Sequence, residues 1–161
     1  MGIRDRIKGA LGLGAKTHLV EGAAAPEIGV ADATGKVWKI NDLRGSPAVV
    51  YFYPKDDTPG CTKQACSFRD NAARLGDVPV FGVSADAAAS HKAFAQKFNL
   101  SFPLLADTSG EMAKRWGTGA GGPPRRVTFV IDREGRIARV FDPVRVEGHT
   151  DEVLAVLRDL P

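Results

Sequence analysis

The chain has 161 residues, 43% hydrophobic and 25% charged, a balance that excludes collagen-like, fully disordered and disulfide-scaffold classes and suits one domain with a sizeable core. The formal net charge is +3, and the whole excess lies in residues 1–20, where Arg4, Arg6, Lys8 and Lys16 face only Asp5. Residues 21–161 are balanced, which argues against nucleic-acid binding by the folded body.

Residues 1–20 therefore read as a basic N-terminal extension, mobile or loosely docked, ahead of a domain over residues 21–161. Ile3, Ile7, Ala10 and Leu11 share one helical face, but Gly9, Gly12 and Gly14 each cost about 1 kcal/mol in a helix relative to Ala. Lys16, His18 and Glu21 interrupt the apolar stretch a signal peptide needs, and Arg6 stands where a myristoylation signal wants Ser or Thr. A cytoplasmic location is the expectation. No stretch approaches the roughly 18 uncharged apolar residues of a membrane-spanning helix, so no stable membrane insertion is expected.

Within the body, residues 37–40 read as a short strand, and residues 48–53, an almost unbroken run of Val, Tyr and Phe, as a strand buried on both faces. Pro54 ends it. Residues 60–75 read as a helix and residues 78–84 as a second buried strand, a strand–helix–strand unit that should be parallel and right-handed. Residues 87–98 form a helix with Phe94 and Phe98 one turn apart and Asn99 as its stop. A short helix starts at residues 107–109, runs through Met112 to Trp116 and stops at Gly117. Residues 118–124, all Gly, Ala, Thr and Pro, read as an irregular exposed loop. Residues 127–131 and 137–141 are strands of a hairpin, and Thr150 caps a last helix whose Val153, Val156, Leu157 and Leu160 repeat at helical spacing. This order predicts an α/β chain with a thioredoxin-like fold, a central mixed β-sheet flanked by helices.

Two cysteines, Cys61 and Cys66, and three scattered histidines supply neither a disulfide framework nor a paired-ligand zinc site. Cys61 follows Pro59 and Gly60 just after a strand end, which places its sulfur in the first turn of a helix. There the unpaired N–H groups and the positive end of the helix dipole favour an anion, and thiolate is the expected form. Cys66 lies five residues on. In an intact helix that separation puts the two Cα atoms about 8.6 Å apart, beyond the roughly 7 Å limit for a disulfide. The pair can bridge only if the first turns unwind, which implies a redox cycle between a helical reduced state and a locally unfolded disulfide state.

The run Tyr51-Phe52-Tyr53-Pro54-Lys55-Asp56-Asp57-Thr58-Pro59-Gly60-Cys61-Thr62 resembles the active-site segment of peroxiredoxins, P-x-x-x-T-x-x-C. Cys66 matches the resolving position of the peroxiredoxin Q, or bacterioferritin comigratory protein, subfamily, and the likeness extends from about residue 22 to residue 160. The resemblance implies a thioredoxin-dependent peroxidase acting on hydrogen peroxide and alkyl hydroperoxides. Cys61 would attack the peroxide and become a sulfenic acid. Thr58 would hold the peroxide oxygens and orient the thiolate. Arg126 would stabilise the thiolate and the charge moving onto the leaving oxygen, and Pro54 would shield the site. Gly60 and Cys61 would add backbone N–H groups. Cys66 would close a Cys61–Cys66 disulfide, which thioredoxin or a similar dithiol would reduce. The resemblance implies a monomer with no metal and no organic cofactor.

Arg125 reads as a solvated loop charge, and the Arg-x-Thr-Phe spacing selects Arg126 instead. His18 lies in the extension, His91 on a polar helix face and His149 before a helix cap, each structural or solvated rather than catalytic. Strand packing accounts for Tyr51 and Tyr53 as well as substrate contact does, and Trp116 reads as closing the core. Two other functions fit the cysteine pair: a general dithiol–disulfide oxidoreductase, for which the expected C-x-x-C is missing, and a redox-sensing binding protein or holdase.

Overall fold

The computed structural model describes residues 16–161; residues 1–15, with the apolar face at Ile3, Ile7, Ala10 and Leu11, lie outside the described residues. Strand β1 (Val30–Ala31) pairs antiparallel with β2 (Val37–Trp38) as a small ribbon. The main sheet holds β3 (Ala48–Phe52), β4 (Val80–Ser84), β5 (Leu104–Ala106), β6 (Val127–Ile131) and β7 (Ile137–Phe141) in the order β5-β4-β3-β6-β7. Strand β3 runs parallel to β4 and antiparallel to β6, with Val50 opposite Phe81 on one side and Phe129 on the other. The sheet is mixed, as the order of elements predicts.

Side chains alternate across β3, as the two-residue period of a strand requires. Val50 and Phe52 join Phe81, Phe129, Met112 and Trp116 on one face, while Val49, Tyr51 and Tyr53 join Cys61, Phe68, Phe94 and Val153 on the other. Both faces are covered, which is why the strand reads as a continuous apolar run. The helices are α1 (Pro59–Asp70), α2 (Ala72–Leu75), α3 (Ala88–Phe98), α4 (Glu111–Arg115) and α5 (His149–Asp159). Trp116 is fully buried between Phe52 and Phe129, so it does close the core.

Several local expectations are corrected. The helix over residues 60–75 is two helices, because the Asn71 amide turns back to donate to the Ser67 carbonyl at 2.8 Å. The strand expected over residues 37–40 ends at Trp38, and Ile40 joins the turn expected at 41–43 in a 3₁₀ helix, Ile40–Leu43, with the Ile40 N–H donating to Glu27 at 2.6 Å. Thr150 does not cap the last helix: left-handed Gly148 precedes it, and the buried Thr150 hydroxyl pairs with Ser67 at 2.7 Å. Thr118 is buried, unlike the open Gly121–Pro123 stretch beside it. Asn99 does stop α3, in the left-handed conformation.

The end of the extension is docked at described positions. The Thr17 N–H donates to Asp142 at 2.7 Å, its hydroxyl donates to the Trp116 carbonyl at 2.6 Å, and Leu19 packs against the core. Among the described residues no helix is long and apolar enough to cross a membrane.

Candidate active site

Strand β3 delivers the chain to Tyr53, whose N–H donates to the Val83 carbonyl at 3.0 Å, and Pro54 begins a loop that ends at Thr58. Thr58 is the extended residue before α1, Pro59 is its first residue and Cys61 its third. The Thr58 hydroxyl donates to the Lys55 carbonyl at 2.9 Å and does not cap the helix. The Gly60 and Cys61 N–H groups belong to the turn that has no intrahelical acceptors, so they are available to an oxygen ligand. Cys61 itself is 1% exposed and is a free thiol.

Arg126 reaches this end of α1 from the residue before β6. Its guanidinium donates to the Gln64 side-chain carbonyl at 2.9 Å, and one nitrogen lies 3.0 Å from where a Cβ on Gly60 would stand. Gly60 is thus a space requirement as well as a source of an N–H group: any larger residue pushes on the guanidinium. Gln64, 1% exposed, is a site residue that the motif did not single out. Its signal was a polar residue on the stripe Cys61, Gln64, Ala65 and Phe68 that α1 turns to the sheet. Arg125 is not a solvated loop charge: it donates to Asp142 at 3.0 Å and to the Gly117 carbonyl at 2.9 Å.

Cys66 is half-buried and also free, on the same uninterrupted helix as Cys61. The helical separation of about 8.6 Å therefore applies, and this structure is the dithiol form. Contacts to the end of the chain hold the helix on both sides of Cys66. Besides the Ser67–Thr150 hydroxyl pair, Lys63 pairs with Glu147, and Arg74 of α2 pairs with Asp151 at 2.9 Å.

Under α1, Tyr51 stacks on Tyr53 and Phe68, and its buried hydroxyl has no hydrogen-bond partner. Burial, and then negative charge at Cys61, pushes its pKa well above the ordinary tyrosine value, so it remains a neutral phenol. Tyr53 is paired, donating to Asp56 at 2.6 Å. His91 is not on a polar face but fully buried, bonded to Asp56 at 2.7 Å and to the Leu105 carbonyl at 2.9 Å. His149 is likewise buried and bonded to the Thr128 hydroxyl at 2.8 Å. Burial, with the nearby Arg126 charge second, lowers its pKa to about 4, so it is neutral.

The structure brings Thr58, Gly60, Cys61 and Arg126 to one end of α1 and leaves Cys66 farther along the helix. Pro54, at the other end of the loop, lines a surface cleft of about 320 Å³ with Lys55, Asp86, Gly110, Gly122 and Pro123. The glycine-rich loop thus borders the same loop as the cysteine motif. This arrangement offers a sulfur nucleophile, backbone and guanidinium donors beside it, and a second sulfur that only a conformational change can reach.

The family model described as the AhpC/TSA family matches residues 22–140. Peroxiredoxin Q, chloroplastic, of Populus jackii is 42% identical over 146 residues, covering 87% of this chain and 68% of that protein. The crystal structure of peroxidoxin BcpB from Mycobacterium tuberculosis matches with a TM-score of 0.84 at 33% identity, over 89% of this chain and 99% of that one. A Xanthomonas campestris bacterioferritin comigratory protein, studied for its alkyl peroxide reduction activity, matches with a TM-score of 0.77 at 27% identity, over 89% and 98%.

Proposed function

Since the chain belongs to the AhpC/TSA family and is a thiol-dependent peroxidase of the peroxiredoxin Q type, we propose that Cys61 is the sulfur that attacks peroxide and Cys66 the sulfur that resolves it. The observation that carries this reading is the placement of Cys61 in the first turn of α1, with the Arg126 guanidinium packed over Gly60 beside it.

In the first step the Cys61 thiolate attacks the terminal oxygen of a hydroperoxide. The S–O bond forms, the O–O bond breaks, and the leaving oxygen takes a proton to depart as water or an alcohol. Negative charge spreads along the S–O–O line, so donors fixed around it lower the barrier more than they stabilise the ground state. Arg126 and the Gly60 and Cys61 N–H groups fill that role, and the Thr58 hydroxyl holds the peroxide oxygens. Pro54 screens the loop side of the sulfur. In the second step Cys66 attacks the Cys61 sulfenic acid, an S–S bond forms, and water leaves.

A dithiol of the thioredoxin class returns the pair to two thiols by exchange. All electrons come from thiols, so the cycle calls for no metal or organic cofactor. Because both sulfurs lie on one helix, the cycle also calls for no second chain, which supports a monomer, and a reducing cytoplasm supplies the dithiol. The peroxidase domain is residues 21–161. Peroxide consumption tests the assignment: Cys61→Ser should be inactive, whereas Cys66→Ser should complete one turnover and then stop without forming a disulfide. Full activity in Cys61→Ser would refute it.

A further inference from the structure

The loop between β3 and α1 is fixed by a buried polar cluster that the motif does not contain. The Asp56 carboxylate accepts from Tyr53 at 2.6 Å, from Ser90 at 2.8 Å and from His91 at 2.7 Å, and the Asp56 N–H donates to Asp86 at 2.8 Å. Asp86 is held in turn by the Ser84 hydroxyl at 2.7 Å. The Asp56 and His91 side chains are 3% and 0% exposed.

Proton counting fixes the state of the pair. His91 Nε2 meets the Leu105 carbonyl at 2.9 Å, an oxygen that only accepts, so Nε2 carries a hydrogen. Burial pushes the Asp56 pKa up, but the bonds from His91, Tyr53 and Ser90 outweigh it and leave the group lowered, so it is a carboxylate. Nδ1, facing that carboxylate, must donate as well. The charged and titratable groups around the pair are Tyr53 beyond β3, Asp86 before α3, and farther out the Lys97–Asp57 ion pair at 2.8 Å.

The cluster acts on the loop's shape. Asp57, next in the chain, holds φ of +56°, a left-handed conformation that costs a non-glycine residue energy and persists only when its neighbours are pinned. Thr58 follows it directly. None of the groups gripping Asp56 lies on α1, so the grip survives when the first turns of α1 unwind to bring Cys66 to Cys61.

We propose that Asp56 and His91 are positioning residues for the peroxide reaction: a buried imidazolium–carboxylate pair that fastens the loop to α3 and β5 and so sets where the Thr58 hydroxyl meets the peroxide. The proposal rests on Cys61 being the reacting sulfur. Its test uses Cys66→Ser as the parent, in which only the peroxide step is observed, with Asp56→Asn and His91→Gln added separately. Rapid mixing with hydrogen peroxide should show the first-turnover rate falling about tenfold or more in both variants. Alkylation of Cys61 by iodoacetamide, which needs the sulfur but not Thr58, should change less than about twofold. In the wild-type protein with ¹⁵N-labelled histidine, NMR should show His91 with two ring N–H groups, and Asp56→Asn should show one. Peroxide rates unchanged in both variants, peroxide and alkylation rates falling together, or a single ring N–H in the wild type each overturn the positioning role. If His91→Gln does not fold, the near-isosteric Asp56→Asn and the proton count decide. A parent that ignores peroxide removes the Cys61 assignment and this proposal together, a result distinct from a reactive parent with unaffected variants.

Discussion

At the scale of single residues, the site depends on how closely Arg126 approaches the helix that carries Cys61. A guanidinium donates through a planar fork, so a small displacement loses directed hydrogen bonds as well as charge. Gly60 leaves room for it, and Gln64 holds it with a buried carbonyl oxygen 2.9 Å away. Gly60→Ala separates catalysis from stability. Alanine favours a helix over glycine by up to about 1 kcal/mol, so urea unfolding should show stability unchanged or raised. The new methyl, only 3.0 Å from the guanidinium nitrogen, should slow the peroxide step about tenfold. Equal losses of stability and rate would contradict this account of the glycine. Of these residues, Thr58 and Cys61 are singled out in the sequence by the P-x-x-x-T-x-x-C spacing and Arg126 by the Arg-x-Thr-Phe spacing, and the fold places all three at one end of α1. Gln64 and the Asp56–His91 pair are not singled out, because Gln64 meets Arg126 across 62 positions and Asp56 meets His91 across 35. Only the folded chain pairs a polar residue in a helix stripe with its distant partner.

At the scale of elements, the proposed cycle requires α1 to be a good helix in one state and to give way in the other. Its start is defined by Pro59 and its end by Asn71, and its second half is pinned to α5 by the Ser67–Thr150 hydroxyl pair at 2.7 Å. A neutral hydrogen bond of this kind stabilises by about 1 kcal/mol. Thr150→Val removes it with little change of volume, and closure of the Cys61–Cys66 disulfide should speed up by as much as about fivefold. The preceding peroxide step should keep its rate, as stopped-flow fluorescence can show. Unchanged closure would mean that only the first turns unwind and the second half of α1 stays in place. Strands β3 and β6 are legible as nearly continuous apolar runs and β7 as apolar residues around an exposed Arg139, and the structure keeps β6 and β7 at the expected residues. Strands β1 and β5, of two and three residues, are too short to carry a two-residue period and exist only through their neighbours. The division at Asn71 is equally hidden, since it depends on one side-chain amide folding back on the helix.

At the scale of the whole molecule, the central strand β3 unites two cores and points its end at the site, so the reactive loop is anchored to a strand buried on both faces. Where that core is polar, it ties stability to pH. His149 has its pKa lowered from 6.5 to about 4, by burial first and by Arg126 second. As pH falls below 6.5 the unfolded chain takes up a proton at this side chain while the folded chain does not until about 4. Stability is therefore complete above the unfolded value and declines through that window, by as much as about 3 kcal/mol from this group. Urea titrations across the window should show a steeper loss in the wild type than in His149→Gln; parallel curves would contradict it. The central claim concerns the sulfur pair itself, and intact mass with peptide mapping after one equivalent of hydrogen peroxide tests it most directly. The account requires the loss of two hydrogens, confined to a linkage between Cys61 and Cys66 in a monomeric chain. An unchanged mass, a disulfide between two chains, or oxygen retained on Cys66 with Cys61 untouched would contradict it.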